Sequence, residues 1–189
     1  GWAALKLGDK TAQVLGRLTL NPLKHIDMIG TVIVPLVLLW LGGFVFGWAK
    51  PVPVNPNNLR NRRYMALVSF AGPFSNLVMA FIWALVMKLG VYFGGHVTHA
   101  ALPLVYMGQA GVLINLVLFF LNMLPIPPLD GGRIISALLP GKKAYWFDKI
   151  EPFGLIILLL LLVTNVLSLL LAPLLFGSYR AILSLFNLA

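Results

Sequence analysis

GLIILLLLLVTNVLSLLLAPLLF, residues 154–176, contains no charged side chain. As a helix rising 1.5 Å per residue it would extend about 35 Å, more than the roughly 30 Å of a bilayer's hydrocarbon core. The chain therefore reads as an integral membrane protein. Composition agrees, since 60% of the 189 residues are hydrophobic and only 10% are charged. A soluble helical domain of this size would carry far more charge.

Working outward, three more apolar segments stand out, residues 28–48, 65–93 and 104–124, with the last one running over 153–176. The expected fold is an all-α polytopic membrane protein in one domain, residues 1–189. It has three spanning helices and a further membrane segment at 28–48, with room for short β elements. The chain has no cysteine, so a metal would have to sit on His, Asp or Glu. The net charge of +9 comes without a basic stripe interleaved with exposed aromatics, so nucleic acid is not an expected partner. Basic loops meeting an anionic bilayer surface explain it. The first residues, GWAALKLGD, lack the pattern of a signal peptide and read as the last turns of a helix stopped by Gly8. On that reading the chain begins inside an element.

Positive charge is distributed unevenly. Residues 1–27 carry Lys6, Lys10, Arg17 and Lys24; residues 49–64 carry Lys50, Arg60, Arg62 and Arg63; residues 125–152 carry Arg133, Lys142, Lys143 and Lys149. The loop over 94–103 has none. All three basic stretches are expected on the cytoplasmic side. Segment 28–48 lies between two of them, so a single crossing would put one on the wrong side. A re-entrant hairpin removes the conflict. Pro35 opposes a helix interior, Gly42-Gly43 offers a bend, and Val32, Ile33, Val34, Val37, Phe44, Val45 and Phe46 favour extended backbone. A plain spanning helix is the alternative.

The path then places LPIPPLDGGRI, residues 124–134, at the cytoplasmic end of a membrane helix. Asp130 is one of five acids in the chain, and a carboxylate at a membrane edge is costly enough to suggest a function. The plainer reading is an N-cap for a helix starting at Gly131. Pro125, Pro127 and Pro128 weigh against it, because they would hold the preceding backbone rigid and extended beside a ligand strand. Asn122, eight residues before Asp130, can reach the same place. Asn76, Asn115 and Asn165 are expected to hydrogen-bond neighbouring helices. His25 and Asp27 read as a surface turn rather than a metal site, and His96 and His99 as exposed residues of the external loop.

The stretches GWAALKLGD, LGRLTLNPLKHID, GWAKPVPVNP, SFAGPFSNL and NMLPIPPLDGGRI, in this order and spacing, together resemble the site-2 protease family of zinc intramembrane metalloproteases, and within it the small prokaryotic members that lack a PDZ domain. The resemblance runs from Gly1 to about Pro152. It implies a Zn2+ ion held by two His of an H-E-x-x-H helix and by the Asp of an L-D-G motif, here Asp130, with the Glu as general base. It also implies that Asn122, Pro125, Pro127 and Asn76 lie along the bound substrate, and that the re-entrant segment is a β element beside it. Implied partners are transmembrane protein substrates and the lipid bilayer, and the implied location is a prokaryotic plasma membrane with the site facing the cytoplasm.

One departure decides what this chain does alone. Residues 1–189 contain no H-E-x-x-H, and no Glu precedes Glu151. In the family that pentapeptide immediately precedes a G-W-A-A-like stretch, so the missing ligands and general base are expected upstream of Gly1. The chain alone is expected to be inactive and to bind zinc weakly. The rival readings are a non-catalytic pseudoprotease that binds transmembrane segments and a small transporter using Asp130 as an ion site. A transporter predicts paired broken helices in related halves, and no such repeat is present.

Overall fold

The computed structural model describes residues 1–19, 21–40, 47, 49–94 and 101–188. Contacts divide the chain into two compact units, Gly1–Val68 and Ser69–Ala189.

The first unit is built around a carboxylate. Helices α1 (Trp2–Lys6) and α2 (Thr11–Val14) are joined at Gly8, whose φ of +117° is open to glycine and strained for other residues. Asp9, fully buried, accepts hydrogen bonds from the Thr11 amide at 3.0 Å, the Thr11 hydroxyl, the Asn55 amide at 2.8 Å and the Asn58 side chain at 3.1 Å. One side chain thus ties α1 and α2 to a loop nearly fifty residues later in the chain.

The first apolar segment is helical over its described part. Asp27 caps it, accepting from the Ile29 and Gly30 amides at 3.1 and 2.8 Å. A π-helical stretch, Met28–Ile33, leads into α3 (Val34–Trp40). This corrects the extended backbone expected at Val32, Ile33, Val34 and Val37. Strand preference is weak and contextual, whereas a helix pairs its backbone groups internally. Together the two stretches rise about 20 Å, short of a bilayer core. The expected bend at Gly42-Gly43 and residues Phe44, Val45 and Phe46 lie outside the described residues. Beyond them the chain is back where it started. The Lys50 amide donates to the His25 carbonyl at 2.9 Å, and a Cβ on Gly47 would come within 2.5 Å of the Gly30 carbonyl oxygen.

The second unit is a helical bundle. Among the described residues three helices are long and apolar enough to cross a membrane: α4 (Tyr64–Gly94, beginning in the first unit), α5 (Leu102–Asn122) and α9 (Val166–Leu185). Ala80, Ala84, Val112, Leu116 and Ile182 form their common core, flanked by Trp83, Phe120 and Tyr179. Small residues bring α4 and α5 together: a Cβ on Gly108 would sit 2.5 Å from the Met87 Cβ, and one on Gly111 would enter the Trp83 ring. In lipid, such close van der Waals packing holds helices that the hydrophobic effect cannot drive together. The outer surface is correspondingly oily, with Val163 and Leu169 more than three-quarters exposed.

Residues 153–176 are not one helix. α8 (Gly154–Val163) stops at Thr164, whose hydroxyl donates to the Leu160 carbonyl, and Asn165 takes a left-handed φ of +59° before α9 begins. Asn and Thr compete locally for backbone hydrogen bonds, and Asn tolerates this conformation. Between α5 and α8 lie two short helices, α6 (Asp130–Leu138) and α7 (Gly141–Asp148). No strand occurs among the described residues.

Candidate functional site

The segment from Met123 to Leu129 is wound rather than extended. The Ile126 amide donates to the Leu124 carbonyl at 2.8 Å, and the Leu129 amide to the Ile126 carbonyl at 2.9 Å, around a cis Pro127–Pro128 peptide. The three prolines, expected to hold an open strand, make two consecutive tight turns. Pro127 is buried and Pro125 is exposed.

The glycines after Asp130 are needed for space. Both are helical, and neither has a positive φ. A Cβ on Gly131 would run into the carbonyls of Met123 and Leu124, and one on Gly132 into the backbone of Ile126 and Pro127. A Cβ on Gly154, the first residue of α8, would overlap the Pro127 carbonyl oxygen. The starts of α6 and α8 therefore rest on the same turn, backbone against backbone. Arg133 and Glu151 add a surface ion pair at 3.8 Å.

Asp130 is the first residue of α6. Leu129 holds the N-cap position, and the Asp130 side chain makes no capping hydrogen bond. The plainer reading of Asp130 as a cap is thus set aside. Its half-buried carboxylate is directed toward α4, where a Cβ on Gly72 would stand 3.0 Å from Oδ2. Burial raises its pKa above the usual carboxylate value, and the Arg133 charge opposes the rise. The structure thus brings Asp130 together with the GPFSN stretch of α4, residues 72–76. Asn76 follows one helical turn beyond Gly72. Asn122 ends α5, and its Nδ2 donates to the Leu118 carbonyl at 2.9 Å. Asn115 bonds the Gly111 carbonyl of its own helix at 2.8 Å rather than a neighbour.

Among the described residues no three His, Asp, Cys or Glu side chains converge on one point. His25 accompanies the first unit's loop, its Nε2 3.1 Å from the Thr19 carbonyl oxygen, and Asp27 is the cap already described. His96 and His99 lie outside the described residues.

Residues 89–164, which contain this turn and Asp130, match the profile of "Peptidase family M50". Over 188 residues, 98% of this chain and 83% of the relative, the sequence is 42% identical to "Putative zinc metalloprotease YwhC" of Bacillus subtilis. The chain belongs to peptidase family M50. This is the site-2 protease family. Other relatives are "Putative zinc metalloprotease Rip2" of Mycolicibacterium smegmatis, 27% identical, and of Mycobacterium tuberculosis, 31% identical, each match covering 88% of this chain and 61% of the relative. No solved structure matches. Asp130 offers a hard oxygen donor with no competing cap bond, beside a residue that has no side chain to block it.

Two residues of consequence escaped the sequence reading. Gly72 was visible only as part of a motif, and Asp9 only as the residue after a helix stop. The Asp9-x-Thr11 spacing, a local side-chain-to-backbone turn, was the available signal.

Proposed function

We propose that this chain forms the membrane core of a zinc-dependent intramembrane protease, which hydrolyses peptide bonds within or near transmembrane segments of other membrane proteins. The observation that carries the reading is the uncapped Asp130 carboxylate held against Gly72 of α4. When bound, zinc supplies a Lewis acid and lowers the pKa of a water to about 7.

The chain's own residues supply position. The turn 123–129 fixes the start of α6, and with it the Asp130 carboxylate. Asn122 spends its Nδ2 on Leu118, which leaves Oδ1 to accept an amide N–H from an extended substrate. Exposed Pro125 borders that strand. Buried Pro127 shapes the floor beneath it through Gly132 and Gly154. Asn76, further along α4, offers a second amide to the same substrate.

The contact between His25 and Lys50 supports a membrane segment that dips and returns, which keeps both flanking basic stretches on the cytoplasmic side of a prokaryotic plasma membrane. The test uses the full-length protein reconstituted with a transmembrane reporter substrate. Asp130→Ala is expected to lose at least 100-fold in cleavage rate and to retain less zinc, with unchanged thermal unfolding. Cleavage at the parent rate would end the proposal.

A further inference from the structure

Helix α7 turns an unpartnered face outward. Ala144 is fully buried and anchors the helix. Lys142, Tyr145, Trp146 and Lys149 follow the i, i+3, i+4, i+7 spacing of a single helical stripe, roughly opposite Ala144. Tyr145 and Trp146 lie side by side, 61% and 67% exposed. The Lys149 ammonium lies 4.8 Å from the Tyr145 ring centre and 4.4 Å from that of Trp146. It is held in place while its charge stays open to the outside. Nearby acids leave the face alone: Asp148 falls off the stripe, and Glu151 is taken by Arg133. In chain order α7 lies between the end of a spanning helix, α5, and the start of another apolar helix, α8.

We propose that this face of α7 binds the headgroup of an anionic phospholipid. Lys142 and Lys149 contact the phosphate, while Tyr145 and Trp146 sit at the boundary between headgroup and acyl chain. The rings supply an amphipathic surface suited to that depth, and the lysines supply charge complementarity. The proposal does not depend on peptidase activity.

The full-length protein in nanodiscs, at low salt, is titrated with brominated phosphatidylglycerol or brominated phosphatidylcholine, and tryptophan quenching is read. The W146F variant isolates the contribution of Trp146. Each surface lysine is expected to favour the anionic lipid by roughly fivefold, so two give roughly 25-fold. K142Q/K149Q is expected to bring the preference at Trp146 close to parity, and added salt to weaken it in the parent. These side chains are exposed, and unchanged thermal unfolding confirms that each variant folds. Three results would overturn the proposal. One is equal quenching by the two lipids in the parent. Another is a preference that survives K142Q/K149Q. The third is a soluble acidic peptide whose binding needs both lysines while the lipid preference does not.

Discussion

Replacing Gly72 with alanine separates the position of Asp130 from the stability of the protein. The added Cβ would lie 3.0 Å from Oδ2 and 3.9 Å from Cγ of Asp130. Carbon–oxygen contacts settle at about 3.3–3.6 Å, so the carboxylate must withdraw by roughly 0.3–0.6 Å. The side chain can do this by rotating, at little cost to the fold. A zinc ligand tolerates only about 0.2 Å, and disturbing the groups that orient a ligand lowers metal affinity or activity by about 10–100-fold. Alanine is also the better helix former, by about 1 kcal/mol in water. Gly72→Ala in the full-length protein should therefore unfold at the same temperature as the parent or higher. Its zinc affinity, measured by chelator competition, and its cleavage of a transmembrane reporter should each fall at least tenfold. Parent-like affinity and rate would show that Asp130 is not a ligand or that the carboxylate lies elsewhere. A loss accompanied by a lower unfolding temperature would show that Gly72 serves packing, and would equally refute the reasoning.

Gly154→Ala and Gly132→Ala should act in the opposite sense, each destabilising by about 1–3 kcal/mol or more because the new methyl group meets backbone that cannot rotate away. Thermal unfolding in detergent checks this, and a stabilised variant would mean that the turn is looser than described. Asp9→Asn should destabilise the first unit, since an amide cannot accept from all the donors that now face the carboxylate. Hydrogen exchange at the Asn55 amide is the local readout. Burial works against the Asp9 charge, but the Thr11, Asn55 and Asn58 hydrogen bonds outweigh it and lower the pKa to about 2. A depressed pKa contributes stability that is fully present above the unfolded value near 3.8 and is lost as pH falls through about 2. The acid-unfolding profile of the parent should show that loss, and Asp9→Asn should not.

Spanning helices were legible because a long uncharged run has few alternatives in lipid. Asp130 was legible because a carboxylate is conspicuous there. What escaped was local geometry inside apolar stretches. Val32, Ile33, Val34 and Val37 carry β-branched side chains that favour strands, yet their backbone is helical. Thr164-Asn165 breaks the last segment although the flanking leucines dominate any average over it. The role of Gly131 and Gly132, admitting the backbone of a turn several residues earlier, depends on a contact that no local pattern encodes. Asn115 and Asn122 bond carbonyls four residues back in their own helices, which needs no neighbour at all.

The junction at Pro127 behaves as a mechanical linkage. Because α6 and α8 meet the same turn through glycines, no flexible side chain lies between them to absorb displacement. A push on α8 reaches Asp130 through main chain alone. Displacement of α8 would therefore be passed on to the start of α6, where Asp130 sits, rather than absorbed between them.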